Sequence, residues 1–482
     1  MKEKINILMF SLTLVAFTIF CAFSLNQNYW LNWLGILIYL YAICTWHWRK
    51  GDSIFSLYTI FFTFFLLFSY GQCIMWAFGI GTDRGIGTTV VAYGTGIIPS
   101  ETDMIMVKWY SCISMFVFHI GALLFTRKTT LRKVSWYESG DADADRKFLF
   151  KIGCIISIIV VPIVFVFKLL EVRIALVHGY NALYYGDYAT QSGYLQIILY
   201  LFFPALICLL IGSNFSKVIT RFVFIIFALY SLLGIMSGDR GSWLYNSIIL
   251  IWAYTQYKGT FNYKKLIKWL ILAVIGIYIL NVITKARDGG GLSKLTLKDF
   301  TSVFDSDDSP LVDSFFEMGG TMSIITFFLI SGNGIYPFAN TYLTSLLGSI
   351  SSRMLSMFGI KFVLLADWFS QDYLGITWGT GFSMIAEAYV NGGYIGGIVY
   401  IFIIGIVIGK ILSNSIDNQD IENHPMKMFL AIATANIIMG FPRAASYLIV
   451  KNFVYGVLII LLINFFLQQF NKRLQYLSLI KR

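Results

Sequence analysis

Apolar stretches of about 18 residues or more, with few charges, recur from one end of the chain to the other, and each is long enough to cross a bilayer as a helix. They begin near Ile5, Trp30, Ile54, Met104, Phe148, Tyr194, Phe222, Trp243, Leu266, Gly393, Met426 and Phe453, which makes about twelve candidate spans. The pattern predicts an all-α polytopic integral membrane protein, a single multi-span domain over residues 1–482. The first run, Ile5 to Leu25 behind Met1-Lys2-Glu3-Lys4, exceeds the h-region of a signal peptide, and no small-x-small cleavage site follows it. It reads as a retained span.

Composition agrees with this class. Of the 482 residues, 57% are hydrophobic and 13% charged, with a mean hydropathy of +0.73, whereas soluble proteins carry about 25% charged residues. Lysine and arginine set the orientation. With the N-terminus inside, the inner segments hold 23 of the 36, and the outer ones hold 13, six of them in one long loop. Long loops do not count towards the rule, so the distribution predicts N-in, C-in. The net charge of +11 then serves inner anchors and anionic lipid, not nucleic acid. Cys21, Cys44, Cys73, Cys112, Cys154 and Cys208 fall one in each of the first six spans. They lack metal-ligand spacing and read as packing residues. Asp141-Ala142-Asp143-Ala144-Asp145 has a DxD look. It lies in a cytoplasmic loop without the glycine and closing glutamate of a calcium loop, and is expected to be a solvated acidic linker. No metal or cofactor is expected.

Two outer loops are long, Gly79 to Asp103 and residues 285–392, and structureless loops of that length are uncommon unless functional. The second contains an apolar segment, Met322 to Ile330, too short to span, which reads as a re-entrant or interfacial helix. The rest should lie along the membrane surface. After the first, every outward-going span ends near a cation. Arg84 follows the third, Lys168 and Arg173 the fifth, Arg240 of SGDRGSW (residues 237–243) the seventh, Arg287 the ninth and Arg443 the eleventh. Helix capping accounts for a cation at any one of these ends. It does not account for arginine's recurrence on the side where cations are scarce, and arginine grips phosphate bidentately where lysine cannot. The pattern points to a shared anionic ligand.

A lipid-linked diphosphate fits that place: tail in the bilayer, diphosphate at headgroup level, sugars projecting outwards. Rings at that level, Tyr184, Tyr185, Trp368 and Trp378, with His178, are expected to meet the sugars, although any single one also suits an interfacial aromatic belt.

SGDRGSW after a mid-chain span, followed by Gly381-Phe382-Ser383 and by Glu387-Ala388-Tyr389-Val390-Asn391-Gly392-Gly393, resembles bacterial O-antigen polysaccharide polymerases of the Wzy type, and the layout of the whole chain is similar. The Arg-x10-Gly signatures of some members are not matched, since Ile251 and Lys298 stand at the glycine positions after Arg240 and Arg287. The resemblance implies a GT-C-like multi-pass glycosyltransferase of the inner membrane, joining undecaprenyl-diphosphate-linked oligosaccharides on the periplasmic side without metal or nucleotide sugar. A chain-length regulator and a flippase of the same pathway are the implied partners, besides membrane lipids. Arg240, Arg287 and Arg443, with Arg84 and Arg173, would stabilise the departing diphosphate. Glu387 is the candidate base, with His178 and Asp239 as competitors; Asp239 also suits the holding of Arg240, and Glu387 the pairing of an arginine. An O-antigen ligase uses the same donor and charge logic. A lipid-linked oligosaccharide flippase is also basic and multi-span, but transporters commonly show internal repeats and midplane sites.

Reporter fusions at Lys133, Lys264 and Asn418 should report cytoplasm, and fusions at Gly94, Asp187 and Asp307 periplasm. A periplasmic signal at Lys264 would invert the second half of the chain and take Arg240 away from the shared site.

Overall fold

The computed structural model describes residues 2–50, 53–82, 84, 98–126, 142–178, 180–183, 193–237, 242–258, 268, 271, 275–276, 278, 310–376, 379–413 and 424–480. Among these the fold is all-helical. In chain order the elements are α1 (Lys2–Phe23), α2 (Gln27–Lys50), α3 (Leu57–Ala77), α4 (Glu101–Leu124), α5 (Ala142–His178), α6 (Gly193–Gly212), α7 (Lys217–Ser237) and α8 (Ser242–Lys258). After the undescribed stretch come α9 (Pro310–Gly319), α10 (Met322–Ser331), α11 (Thr341–Ile350), α12 (Ser352–Met357), α13 (Met384–Leu412) and α14 (Pro425–Met439). Last is α15 (Ser446–Asn452), which runs through a π-turn (Phe453–Leu458) into α16 (Ile459–Ile480).

Among the described residues ten stretches are long and apolar enough to cross a membrane. They coincide with nine of the expected spans, and the expected sixth and eighth are the shorter helices α6 and α8. The expected ninth, near Leu266, lies almost wholly outside the described residues. The tenth stretch takes in the Met322 to Ile330 segment and speaks against the interfacial one of its two readings. Val312–Ser331, formed by α9 and α10, is long enough to cross, and Met322 to Leu329 are buried without a break. A helix lying along a surface would keep one face in solvent or headgroups, so this part of the long loop belongs to the protein core. Asp143 and Asp145 also depart from expectation. They occupy the first turn of α5, where the helix dipole favours acids, and Asp145 is buried and accepts from Gln468 Nε2 at 3.3 Å.

Local sequence starts several helices. Ser100 and Asp103 form a reciprocal capping box ahead of α4, Ser56 caps α3, and Asn340 accepts from the backbone of Tyr342 and Leu343 to open α11. Between helices, close approach at glycine replaces the hydrophobic drive that lipid removes. A Cβ at Gly405 would lie 2.3 Å from Phe118 O, one at Gly409 2.6 Å from Ala122 Cα, and one at Gly121 2.4 Å from Phe402 O. The second half of α13 therefore runs parallel to α4 at backbone contact. The pair α5 and α6 does the same in antiparallel sense, with Gly153 against Leu209 and Gly212 against Phe150. Hydrogen bonds add register. Tyr58 OH and Thr45 Oγ1 each lie 2.7 Å from a ring nitrogen of His119, joining α2, α3 and α4 at one end. Lys108 Nζ donates to Asn28 O at 2.8 Å near the other. The six cysteines are free, one in each of α1 to α6.

α13 is two helices, not one. Gly393 has φ 63° and ψ −158°, a conformation that L side chains rarely adopt. Beyond it the chain doubles back: a Cβ at Gly397 would lie 3.1 Å from Ala388 O, though nine residues of unbroken helix span about 13 Å. Residues 384–392 are thus a short buried helix folded against the start of 394–412.

The glycine contacts yield a stability prediction. Gly405→Ala drives a Cβ into the α4 backbone and should destabilise the protein by about 1–3 kcal/mol. Gly396 has nothing within 4 Å of a built Cβ, so Gly396→Ala should be neutral or gain up to about 1 kcal/mol of helix propensity. Thermal unfolding of the detergent-solubilised protein tests the pair, and equal midpoints for both variants would show that the close approach is not what holds α13 to α4.

Candidate functional site

Helix directions define the end at which the expected cations gather. α2 is antiparallel to α3, with Tyr70 OH donating to Leu31 O at 2.7 Å and Trp46 stacked on Tyr58 at 3.8 Å. It is parallel to α4. The ends of α7 and α14 and the start of α8 meet beside the middle of α3. Tyr245 of α8 lies 4.9 Å from the Phe64 ring and within 3.9 Å of a Cβ built at Gly440, while Trp243 lies 3.9 Å from one built at Gly234. With the N-terminus inside, this is the outer end.

Arg443 stands at its centre. It follows α14 in a 3-10 turn, Phe441–Arg443, whose amides bond back to Gly440 and Phe441. Its side chain is exposed, and the guanidinium carbon lies 5.8 Å from the Phe68 ring centroid. It makes no ion pair with a described residue. A guanidinium on an aromatic face, with no described carboxylate paired to it, is suited to taking an anion. Behind it, Gly381 (φ +69°) brings its Cα close to Arg443 O, with 3.7 Å left for a Cβ. The Gly381-Phe382-Ser383 stretch noted in the sequence therefore passes next to the Arg443 turn.

The other expected residues fall into three groups. Arg84 is half-buried at the end of α3, pairs with Asp313 of α9 at 2.9 Å and lies 4.9 Å from the Phe316 ring, so part of its charge is already used to fasten α9. Arg173 and His178 are exposed on the last turns of α5, where Lys168 pairs with Glu171 at 2.7 Å. Asp239, Arg240, Arg287, Tyr184, Tyr185 and Trp378 lie outside the described residues. For Arg240 the flanking helix ends, at Ser237 and Ser242, belong to the Tyr245–Phe68–Arg443 neighbourhood.

Trp368 is placed differently from the exposed sugar platform expected of it. Only 5% of it is exposed, because Tyr336 packs edge-on at 4.9 Å and Tyr373 lies at 5.4 Å. The exposed ring of this cluster is Tyr373 (41%). Asp367 beside it is exposed, and partial burial followed by the charge of Asp372 holds its carboxyl above the ordinary carboxylate range. Its segment packs on α15 through Phe362 and Tyr447, with ring centroids 5.1 Å apart. The charge of Asp367 reaches Tyr447, one turn past Arg443.

Glu387 has no exposed surface. Its Oε1 accepts from Thr341 Oγ1 at 2.6 Å and Ser446 Oγ at 2.7 Å, and its Oε2 accepts from the Ser446 amide at 2.7 Å. No arginine is among these partners, and an acceptor hydroxyl cannot reach the carboxylate in this arrangement. Thr341, Ser446 and Asn391 were not singled out from sequence. A hydroxyl residue opening a helix is too common a pattern to stand out. Lys451 was also passed over, because the expected last span began beyond it. It lies inside the apolar stretch Ser446–Phe470, over the rings of Tyr200 (5.7 Å) and Tyr447 (5.4 Å).

No curated protein and no solved structure matches the chain. The family model described as O-antigen polysaccharide polymerase Wzy matches residues 7–474, nearly the whole length, and the chain belongs to that family.

Proposed function

We propose that the protein joins undecaprenyl-diphosphate-linked oligosaccharide repeat units at the periplasmic face of the inner membrane, with Arg443 as a ligand of the donor diphosphate. The observation that carries this reading is the exposed Arg443 guanidinium, without an ion-pair partner among the described residues, at the junction of the helix ends that flank SGDRGSW. In the reaction a sugar hydroxyl of one repeat unit attacks the anomeric carbon of another. The new C–O bond forms as the bond to the diphosphate breaks, and the electron pair leaves with polyprenyl diphosphate. Charge grows on that leaving group, so a fixed guanidinium favours the transition state over the ground state. Arg240 and Arg287 share this role in the proposal, with Arg84 and Arg173 as outer contacts. A chain-length regulator and a flippase are proposed as partners acting on the same lipid-linked units.

The hydroxyl proton needs a base within hydrogen-bond reach. Asp367 suits this better than Glu387. It is exposed, on the segment that carries the exposed Tyr373 and packs against α15, and its raised pKa makes it a stronger proton acceptor than an ordinary aspartate. A base must be ionised to act, so activity should rise as pH rises through the Asp367 pKa.

Arg443→Lys keeps the charge but loses the bidentate fork. Turnover of purified lipid-linked units should fall about ten- to a hundredfold, the equivalent of one charged hydrogen bond. In cells, a deletion strain should carry lipopolysaccharide core plus one repeat. Core alone would mark a ligase or flippase instead, and a full-length ladder from a normally expressed Arg443→Lys strain would remove Arg443 from the reaction. Asp367→Asn should cut turnover about a hundredfold or more, retain donor binding and lose the acid limb in the pH profile of the residual activity. An unchanged acid limb would exclude Asp367 as the base.

A further inference from the structure

Three segments distant in sequence meet at the Glu387 carboxylate. Glu387 sits on the short buried helix 384–392, Thr341 is the first residue of α11, and Ser446 is the first residue of α15. Asn391, one turn after Glu387, closes the arrangement: its Nδ2 donates to Thr341 Oγ1 at 2.6 Å, and its Oδ1 accepts from Thr341 N at 2.7 Å. The Thr341 hydroxyl thus takes a hydrogen bond from Asn391 and passes its own to Glu387. Ser345 Oγ lies 2.9 Å from Ser446 Oγ and completes the same relay on the other side.

The consequence falls on Arg443. Only Ala444 and Ala445 separate it from Ser446, whose amide and hydroxyl are both fixed by Glu387. On its other side the turn is held by the amide bonds to Gly440 and Phe441, with Gly381 next to it. Backbone is clamped on both flanks while the side chain is left in the open. That is the arrangement required of a guanidinium that must meet its ligand without reorganising. Fully buried carboxylates without a cation are uncommon, and apolar packing would hold three helices as tightly. Directional donors specify a position that apolar contacts do not.

We propose that the Thr341–Glu387–Ser446 hydrogen-bond knot is a positioning device that sets the Arg443 turn for the diphosphate. Glu387 acts through Arg443 and does not touch substrate, and Thr341 and Ser446 share the role. This rests on the reading of Arg443 as a diphosphate ligand.

The test uses the full chain in nanodiscs, with undecaprenyl diphosphate as the probe. Thr341→Val removes the donor at nearly constant shape, and Thr341→Ser keeps it. With Arg443 present, Thr341→Val should weaken binding about tenfold and Thr341→Ser should restore it; in an Arg443→Gln background, Thr341→Val should add nothing. Equal losses in both backgrounds would mean that the knot only supports the fold, and the proposal would fall. A wild-type protein without affinity for the probe would overturn the diphosphate reading itself. A nitroxide at Arg443→Cys then judges the knot on its own: its spectrum should sharpen in Thr341→Val and not in Thr341→Ser, and no change in either would sink the positioning role.

Discussion

Helices in lipid gain nothing from hiding apolar side chains from one another, so close approach and hydrogen bonding must hold them. Everything at the outer end of this protein depends on that constraint. Gly121, Gly405 and Gly409 let the second half of α13 lie on the α4 backbone, and that contact fixes the level at which Gly393 turns the chain back. The short helix 384–392 is therefore delivered, at a set depth and with Glu387 pointing inwards, to the place where α11 and α15 begin. Gly71 and Gly319 do the corresponding work for α9. Gln72 Nε2 donates to Phe316 O at 3.0 Å across their contact, and Arg84 pairs with Asp313 at its outer edge.

Charge is divided at this end according to exposure. Glu387 is enclosed and satisfied by three donors, and Arg84 is half-neutralised by Asp313. Arg443 is left uncompensated by any described carboxylate, with only the Phe68 face beneath it. A carboxylate closer to Arg443 would compete with an anionic ligand. Moving the acid into a knot one turn away keeps its ordering effect and removes the competition. Asp367 and Tyr373, on the segment that packs against α15, extend the same surface to where sugars attached to a diphosphate would lie. The family match and this arrangement of charge are independent of each other, and the proposal of a lipid-linked donor draws on both.

Much of the membrane domain could be read in advance because transfer of a side chain into hydrocarbon is a local quantity. Nine of the long apolar stretches and the position of a cation after α3, α5 and α14 follow from residues taken in windows of one helix length. The Gly381-Phe382-Ser383 and Glu387–Gly393 stretches also mark real features, a turn next to Arg443 and a chain reversal. Reading failed where a segment's fate depends on what it packs against. Met322 to Ile330 left a re-entrant and an interfacial helix open, and the interfacial one goes because the core encloses it. Trp368 has the composition of an interfacial ring, yet Tyr336 and Tyr373 cover it.

The sequence by itself determined the class of the protein and most of its long apolar helices, since each is a sum over near neighbours in the chain. Only the tertiary structure decided what Glu387 does. Its donors lie 46 and 59 residues away, in hydroxyl residues that open helices as countless others do, and no local pattern distinguishes a buried carboxylate that holds a turn from an exposed one that takes a proton. The difference is burial and the identity of three hydrogen-bond donors, which exist only once α11, α13 and α15 have met.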